Sequence, residues 1–271
     1  MKIRFFFVAG CIISAFFLVA CELEKTIGIE LPAQQRQLVA EAYAEKGKVL
    51  RVLLTESEPY FDSLRFPLAD SAFMLLESES GQKDTLNPEP FLDIPNRKFY
   101  NYVSRQTLSP EAGKLNLSIR HKSRQLRGST IFLEAPQLDS VEIEYNPPAD
   151  SSVRFLFWIR DFPGGQNYYR IILNEDSLTG SNVLEFTFTD NNLDGKLFPV
   201  GTSYRFKKNS RYVLRLFHIE QAYYNYLRSM DAADRANGNP FAQPSTVKSP
   251  MEGDGYGIFT TLNFIQRDLY P

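Results

Sequence analysis

From residue 38 onward, apolar and polar residues alternate with a period of two over short runs punctuated by Gly, Pro, Asn and Asp. Such alternation puts apolar side chains on one face of a pleated strand and polar ones on the other. Residues 38–44 and 48–57 flank Glu45-Lys46-Gly47, which predicts a hairpin closed by a glycine-containing loop. Residues 71–76 and 98–103 are the next candidate strands. Leu115, Leu117 and Ile119 then alternate with Lys114, Asn116 and Ser118, and residues 130–134 run up to Ala135-Pro136. Beyond that proline, Val141, Ile143 and Tyr145 alternate with Glu142 and Glu144. Val153, Phe155, Phe157 and Ile159 share a face opposite Arg154, Leu156, Trp158 and Arg160. Further strands are predicted at 168–173, 183–189, 203–207, 211–219 and 255–264, with a strong turn at Pro163-Gly164-Gly165. One segment carries helical spacing: Ile219, Tyr223, Tyr226, Leu227 and Met230 recur at three- and four-residue intervals and predict a helix over 219–236. Asn237-Gly238 and Pro240 stop it. The pattern predicts a mainly β protein of two antiparallel β-sandwich-like modules, 37–136 and 137–271, the second carrying one amphipathic helix.

The first residues break this pattern. Lys2 and Arg4 precede an almost wholly apolar run over 5–17, followed by Leu18-Val19-Ala20-Cys21. A positive start, a short apolar core and small residues before a cleavage site describe a secretory signal over 1–20, and the run is shorter than the roughly 20 residues that span a bilayer. The cysteine directly after Ala20 resembles a bacterial lipoprotein signal, which implies cleavage between Ala20 and Cys21 and acylation of Cys21. Two or more acyl chains, at about 0.8 kcal/mol per buried methylene, hold a protein firmly on a membrane. Residues 21–36 then read as a lipidated tether, its Glu22 and Glu24 resembling a surface-export signal of Bacteroidota lipoproteins. The expected location is the outer membrane, on the periplasmic or the surface-exposed leaflet.

Composition narrows the partners. The other cysteine, Cys11, lies inside the signal, so the exported chain has no disulfide, zinc–thiolate site or cysteine nucleophile. Loss of Lys2 and Arg4 with the signal moves the formal charge from −2 to −4. An acidic balance without a basic cluster argues against nucleic acid.

Three stretches carry a family resemblance: the Cys21 signal with Leu38-Val39 after it; Leu53-Leu54-Thr55 running into Pro59-Tyr60-Phe61-Asp62; and a C-terminal block. That block reads Asn239-Pro240-Phe241-Ala242-Gln243-Pro244, then Gly253-Asp254-Gly255-Tyr256-Gly257-Ile258-Phe259. Together they resemble a Bacteroidota lipoprotein family known as domain-of-unknown-function family 4249, whose members are often encoded beside TonB-dependent receptors. Asp254-Gly255-Tyr256 departs from the run of glycines more usual there. The resemblance implies an accessory role beside a TonB-dependent outer-membrane transporter, and it hands over no catalytic residue. A surface adhesin or glycan-binding module, and a hydrolase using carboxylates assembled by the fold, stand as alternatives.

Several residues are candidates for chemistry. Asp190, Asn192 and Asp194, followed by Gly195, match the first half of a calcium loop, although position twelve of an EF-hand would need a glutamate and here is Gly201. The same residues suit a plain hairpin turn. Residues 239–259 form a long connection whose Phe241, Met251 and Tyr256 could share a binding surface with Tyr223 and Tyr224, the alternative being that Phe241 and Ile258 pin the loop to the core. Trp158 either stacks on a ligand or fills the gap between sheets. His121 and His218 lie in predicted strands without metal-ligand spacing, and no Gly-x-Ser-x-Gly elbow occurs. Asp-Ser/Thr-apolar triplets end in Ser63, Ser71, Thr85, Ser140 or Ser177 at their second place, against about one expected from composition. They resemble an O-glycosylation sequon of exported Bacteroidota proteins and are also ordinary turn formers.

Overall fold

The computed structural model describes residues 36–58, 67–109, 111–146, 152–190, 193–237, 243 and 245–271. Signal, tether and Cys21 lie outside these, as do Ser63, Asn192 and Phe241. The described residues form eighteen strands and one helix in four sheets.

The first sandwich starts as the alternation predicts. Strands β1 (Leu38–Ala44) and β2 (Val49–Glu56) form the expected hairpin, with Leu38, Ala40, Ala42 and Ala44 on one face and Leu50, Val52 and Leu54 beside them. β3 (Phe73–Ser78) pairs with β4 (Lys83–Thr85) and with β7 (Lys114–His121), which in turn pairs with β8 (Arg124–Ile131). β8 therefore lies earlier than the 130–134 run predicted. β5 (Asn87–Asp93) pairs with β6 (Lys98–Thr107), and Pro88 and Pro90 confine it to a sheet edge, where a missing N–H breaks no ladder. The two facing sheets enclose a core of β1, β2, β3, β7 and β8 side chains with Tyr102.

The second sandwich faces β9 (Gln137–Tyr145), β10 (Ser152–Arg160), β13 (Leu197–Gly201) and β14 (Phe206–Lys207) against β11 (Tyr168–Glu175), β12 (Asn182–Thr189), β15 (Tyr212–Ile219) and β18 (Asn263–Leu269). Phe155 and Phe157 of β10 meet Tyr169, Ile171, Leu214 and Leu216 there. The sheet holding β11 and β15 is buried on both faces, so those strands are apolar almost throughout. Its second face carries Tyr168, Ile172, Phe217 and Ile219, and on it sits helix α1 (Gln221–Ala236) through Tyr223 and Tyr226. Among the described residues no helix is long and apolar enough to cross a membrane.

The two sandwiches do not divide at residue 136. β16 (Glu252–Gly253) pairs with β8, and β17 (Gly255–Thr261) runs parallel to β1 from Leu38↔Gly255 to Ala44↔Thr261. Only Leu262 separates β17, in the first sandwich, from β18, in the second. The single strand predicted over 255–264 is thus two strands in two sheets, and the connection predicted over 239–259 ends in β16 and the first half of β17. Its glycines are required by closeness: a Cβ on Gly257 (φ +144°) would stand 1.9 Å from the Ala40 carbonyl oxygen, and one on Gly255 2.3 Å from that of Leu38. Met251 and Phe259 enter the first core, while Ile258 packs with Tyr223.

Gly257→Ala should therefore destabilise the protein by about 3 kcal/mol in urea titration, at the high end for a point substitution. Gly47→Ala, at a turn with φ +74° and nothing within 4 Å, should cost about 1 kcal/mol.

Candidate binding cleft between the two sandwiches

Strand parity decides what lines the space between the sandwiches. Residues 38, 40, 42 and 44 point into the first core, so Tyr43 points away from it; by the same alternation Arg51 of β2 points outward beside it. On the sheet opposite, Arg170, Ile172 and Asn174 of β11 and Arg215 and Phe217 of β15 likewise turn away from the second core. The two outward faces enclose a cleft of about 690 Å³. Tyr223 of α1 contributes to its lining, and so does the β5–β6 turn, residues 94–97. That turn reaches across: the Arg97 guanidinium donates to the carbonyls of Thr179 and Gly180 (3.3 and 3.0 Å), and Asn96 Oδ1 accepts from Arg215 (2.7 Å).

Cations outnumber acids in the lining. Lys48, Arg51, Arg97, Lys98, Arg170 and Arg215 face Glu45, Asp93 and Glu185. Each acid is already held: Glu45 by Lys48 (2.5 Å), Asp93 by the backbone N–H and side-chain amide of Asn96, and Glu185 by Arg170 and Asn182. Arg170 also donates to the Tyr223 hydroxyl (2.7 Å). Burial works against the Arg170 charge, yet Tyr223 and Glu185 outweigh it and hold the guanidinium firmly charged. Arg215 has no such partner. It donates to the neutral oxygens of Asn96 and, at 3.5 Å, Asn174, and its buried Nε has no hydrogen-bond partner among the described residues. Burial pushes Arg215 below the ordinary arginine value, Arg170 adds repulsion, and Glu185, Glu45 and Asp93 oppose. Both guanidinium groups stand over Phe217, at 5.7 and 5.9 Å from its centroid. On the facing wall Arg51 stacks 3.9 Å above Phe91, and its buried Nε is likewise unpartnered.

Among the described residues singled out as candidates in the sequence, only Tyr223 lines this cleft. Tyr224 stacks on Tyr168 at 5.0 Å, and Tyr256 stands 44% exposed on β17. Trp158 does not fill the gap between sheets; it shares the outer face of β10 with Arg154 and donates to Glu142 Oε1 (2.9 Å). Asp190 Oδ2 accepts from the Asn167 N–H (3.0 Å), and Asp194 Oδ1 from the Gly164 N–H (2.7 Å). Asp161, nearby, accepts from Tyr169 and Gly195. These carboxylates tie loops together, and no group of three His, Cys, Asp or Glu placed to hold a metal occurs among the described residues. Ser71 and Ser177 lie in turns, Thr85 in β4 and Ser140 in β9.

The arginines carry a readable signal that period-two reading passes over. Arg51 in Val49-Leu50-Arg51-Val52-Leu53, Arg170 in Tyr168-Tyr169-Arg170-Ile171-Ile172 and Arg215 in Val213-Leu214-Arg215-Leu216-Phe217 each interrupt an apolar strand with one cation. A charge inside such a strand needs a partner or a ligand.

Fold and cleft together define a mainly β, two-sandwich protein with a basic, aromatic-lined groove between its halves. The chain belongs to the family described as domain of unknown function (DUF4249), whose model matches residues 24–267. No curated protein matches it. A solved structure of a cytokine receptor complex aligns over 85% of this chain and 95% of its own at 11% identity and a TM-score of 0.28, too loose a likeness to define the fold.

The two histidines are structural. His218 lies between Phe162 and Tyr169 and bonds the Glu134 carbonyl (3.0 Å) and Asn167 Oδ1 (3.1 Å). Burial holds it below its ordinary value against the pull of Glu134, and burial with Lys122 does the same to His121 against Glu56. The unfolded chain then takes up protons first as pH falls below about 6.5, so this stability is whole above that pH and lost below it. Thermal unfolding between pH 7.5 and 5.5 should show the melting temperature falling with pH, and His218→Gln should shrink the fall.

Proposed function

We propose that this protein is an envelope lipoprotein, anchored through Cys21, that captures a ligand as the accessory partner of a TonB-dependent outer-membrane transporter. The observation that carries the binding role is the cleft, whose size is that of a small-molecule site and whose walls combine aromatic surface with a few polar groups. The Cys21 signal supports the anchor, and the family resemblance supports the transporter as partner.

Binding accounts for the cleft better than hydrolysis does. A glycosidase-type mechanism needs two carboxylates flanking the scissile bond, one of them free to give up a proton. Here Glu45, Asp93 and Glu185 are each held by a cation or an amide.

Mild-detergent pull-down of the tagged protein from its native membrane, with Cys21→Ala as control, tests the partnership. A TonB-dependent receptor is expected in near-equal amount with the parent and depleted with Cys21→Ala. Recovery of the lipoprotein alone would remove the transporter from the account and put a free-standing glycan- or peptide-binding module in its place.

A further inference from the structure

We propose that the cleft takes a small organic anion, with its carboxylate or phosphate group on Arg215, its apolar body on Phe217, and Arg51 with Phe91 as a second cation and ring on the facing wall. This rests on reading the cleft as the ligand site and adds the chemistry of what enters it.

Arg215 is the anchor because, among the described residues, no carboxylate pairs with it. It lies opposite Ile172 in the sheet register, and Arg170 lies opposite Phe217, so two guanidinium groups flank one ring. The carboxylate within reach, Glu185, is bonded by Arg170. A half-buried cation given only neutral oxygens is costly, and the cost is offset when an anion enters. A guanidinium offers a planar fork that matches carboxylate and phosphate. Arg215 keeps its buried Nε–H unspent for such a group.

Arg51 repeats the arrangement from the other side, with one face on Phe91 and a buried Nε–H unspent. Phe264 and Ile172 extend the apolar surface on the Arg215 wall, and Leu92, 62% exposed, lies next to Phe91. A wholly polar anion would leave this surface wet. A neutral apolar molecule would leave Arg215 unpaired. An anion with a flat or aliphatic body satisfies both.

Calorimetric titration of the full chain in neutral phosphatidylcholine nanodiscs tests this, with 2-naphthoate, 2-naphthyl phosphate and uncharged 2-naphthylmethanol as probes. The anionic probes are expected to bind at least about tenfold more tightly than the alcohol, since hydrogen bonds to charged groups are the strong ones. Arg215→Gln and Arg51→Gln should each weaken the anions by about tenfold or more and leave the alcohol unchanged. Preference for naphthyl phosphate marks a phosphate-bearing ligand, and preference for naphthoate a carboxylate. No anion binding, equal binding of anion and alcohol, or undiminished binding by both variants would overturn the proposal.

Melting of the unliganded proteins separates function from scaffolding. Removing an unanswered charge should leave Arg215→Gln melting at or above the parent, and a marked fall would make Arg215 structural and overturn its anchoring role. A receptor recovered in the pull-down without anion binding would reject this ligand class alone. Anion binding without a receptor would reject only the transporter partnership.

Discussion

The parallel pairing of β17 with β1 brings two backbones together with no side chain between them at Gly255 and Gly257. Parallel pairs need a long connection, and this one closes after more than two hundred residues, with every strand of the second sandwich but β18 inserted between its partners. One residue later the chain enters the second sandwich as β18, and the Leu262 N–H donates back to the Ala44 carbonyl (2.8 Å). Hydrogen bonds reinforce the crossing. Thr261 donates to the Ile131 carbonyl (2.6 Å), its N–H donates to Thr130 Oγ1 (3.1 Å), and Asn263 donates to Thr261 Oγ1 (2.9 Å). Glu220, just before α1, accepts from Thr130 and does not cap its helix. Two of the three passages between the sandwiches, at 132–136 and at 262, are therefore fixed at one place; the third runs from α1 to β16.

That fixed crossing sets the outward face of one sheet against the outward face of another. Tyr43 of β1 meets Tyr223 of α1 edge to face at 6.1 Å, closing one side of the space; burial pushes the Tyr43 hydroxyl well above the usual tyrosine range and raises that of Tyr223 against the pull of Arg170. Where the two faces are apolar they merge into a third cluster, Ile258 and Tyr43 with Ile172, Phe217 and Tyr223. Beyond that cluster Arg51, Lys98, Arg170 and Arg215 line the open cleft, where burying such charges against one another without anions is costly. Lys98 has found Glu41 (2.6 Å) and Arg170 has found Glu185, whereas Arg215 has found no acid. Sites that hold an uncompensated charge sacrifice stability for function.

How much of this is legible in the sequence follows from what each strand faces. β1, β7 and β10 have one face in a core and one toward a less buried side, so alternation locates them within a residue or two. β11 and β15 are covered on both faces; their apolar runs read as strands, but nothing in the runs says what covers them. β5 escapes notice because Pro88 and Pro90 argue against a strand, and an edge position is what tolerates them. The helix is legible because Tyr223 and Tyr226 recur on one face, and it starts at Gln221, two residues inside its predicted limit. Gly255 and Gly257 lie in the predicted 255–264 strand, yet what they do there is the least legible feature. Glycines usually mark loops, and only knowledge of the partner strand shows that they admit a neighbouring backbone. The cleft is hidden for the same reason: Tyr223 stands out as an aromatic, while the arginines that give the site its character come from three distant strands.

Native-state hydrogen exchange resolved by strand tests most directly whether β17 makes the two sandwiches one cooperative body. Amides of β2 and β7 in the first sandwich should share one opening free energy with those of β11 and β15 in the second, and denaturant should move all of them together. Exchange of residues 37–136 as a separate unit, while β11 and β15 stay protected, would contradict the clip and with it a cleft of fixed shape.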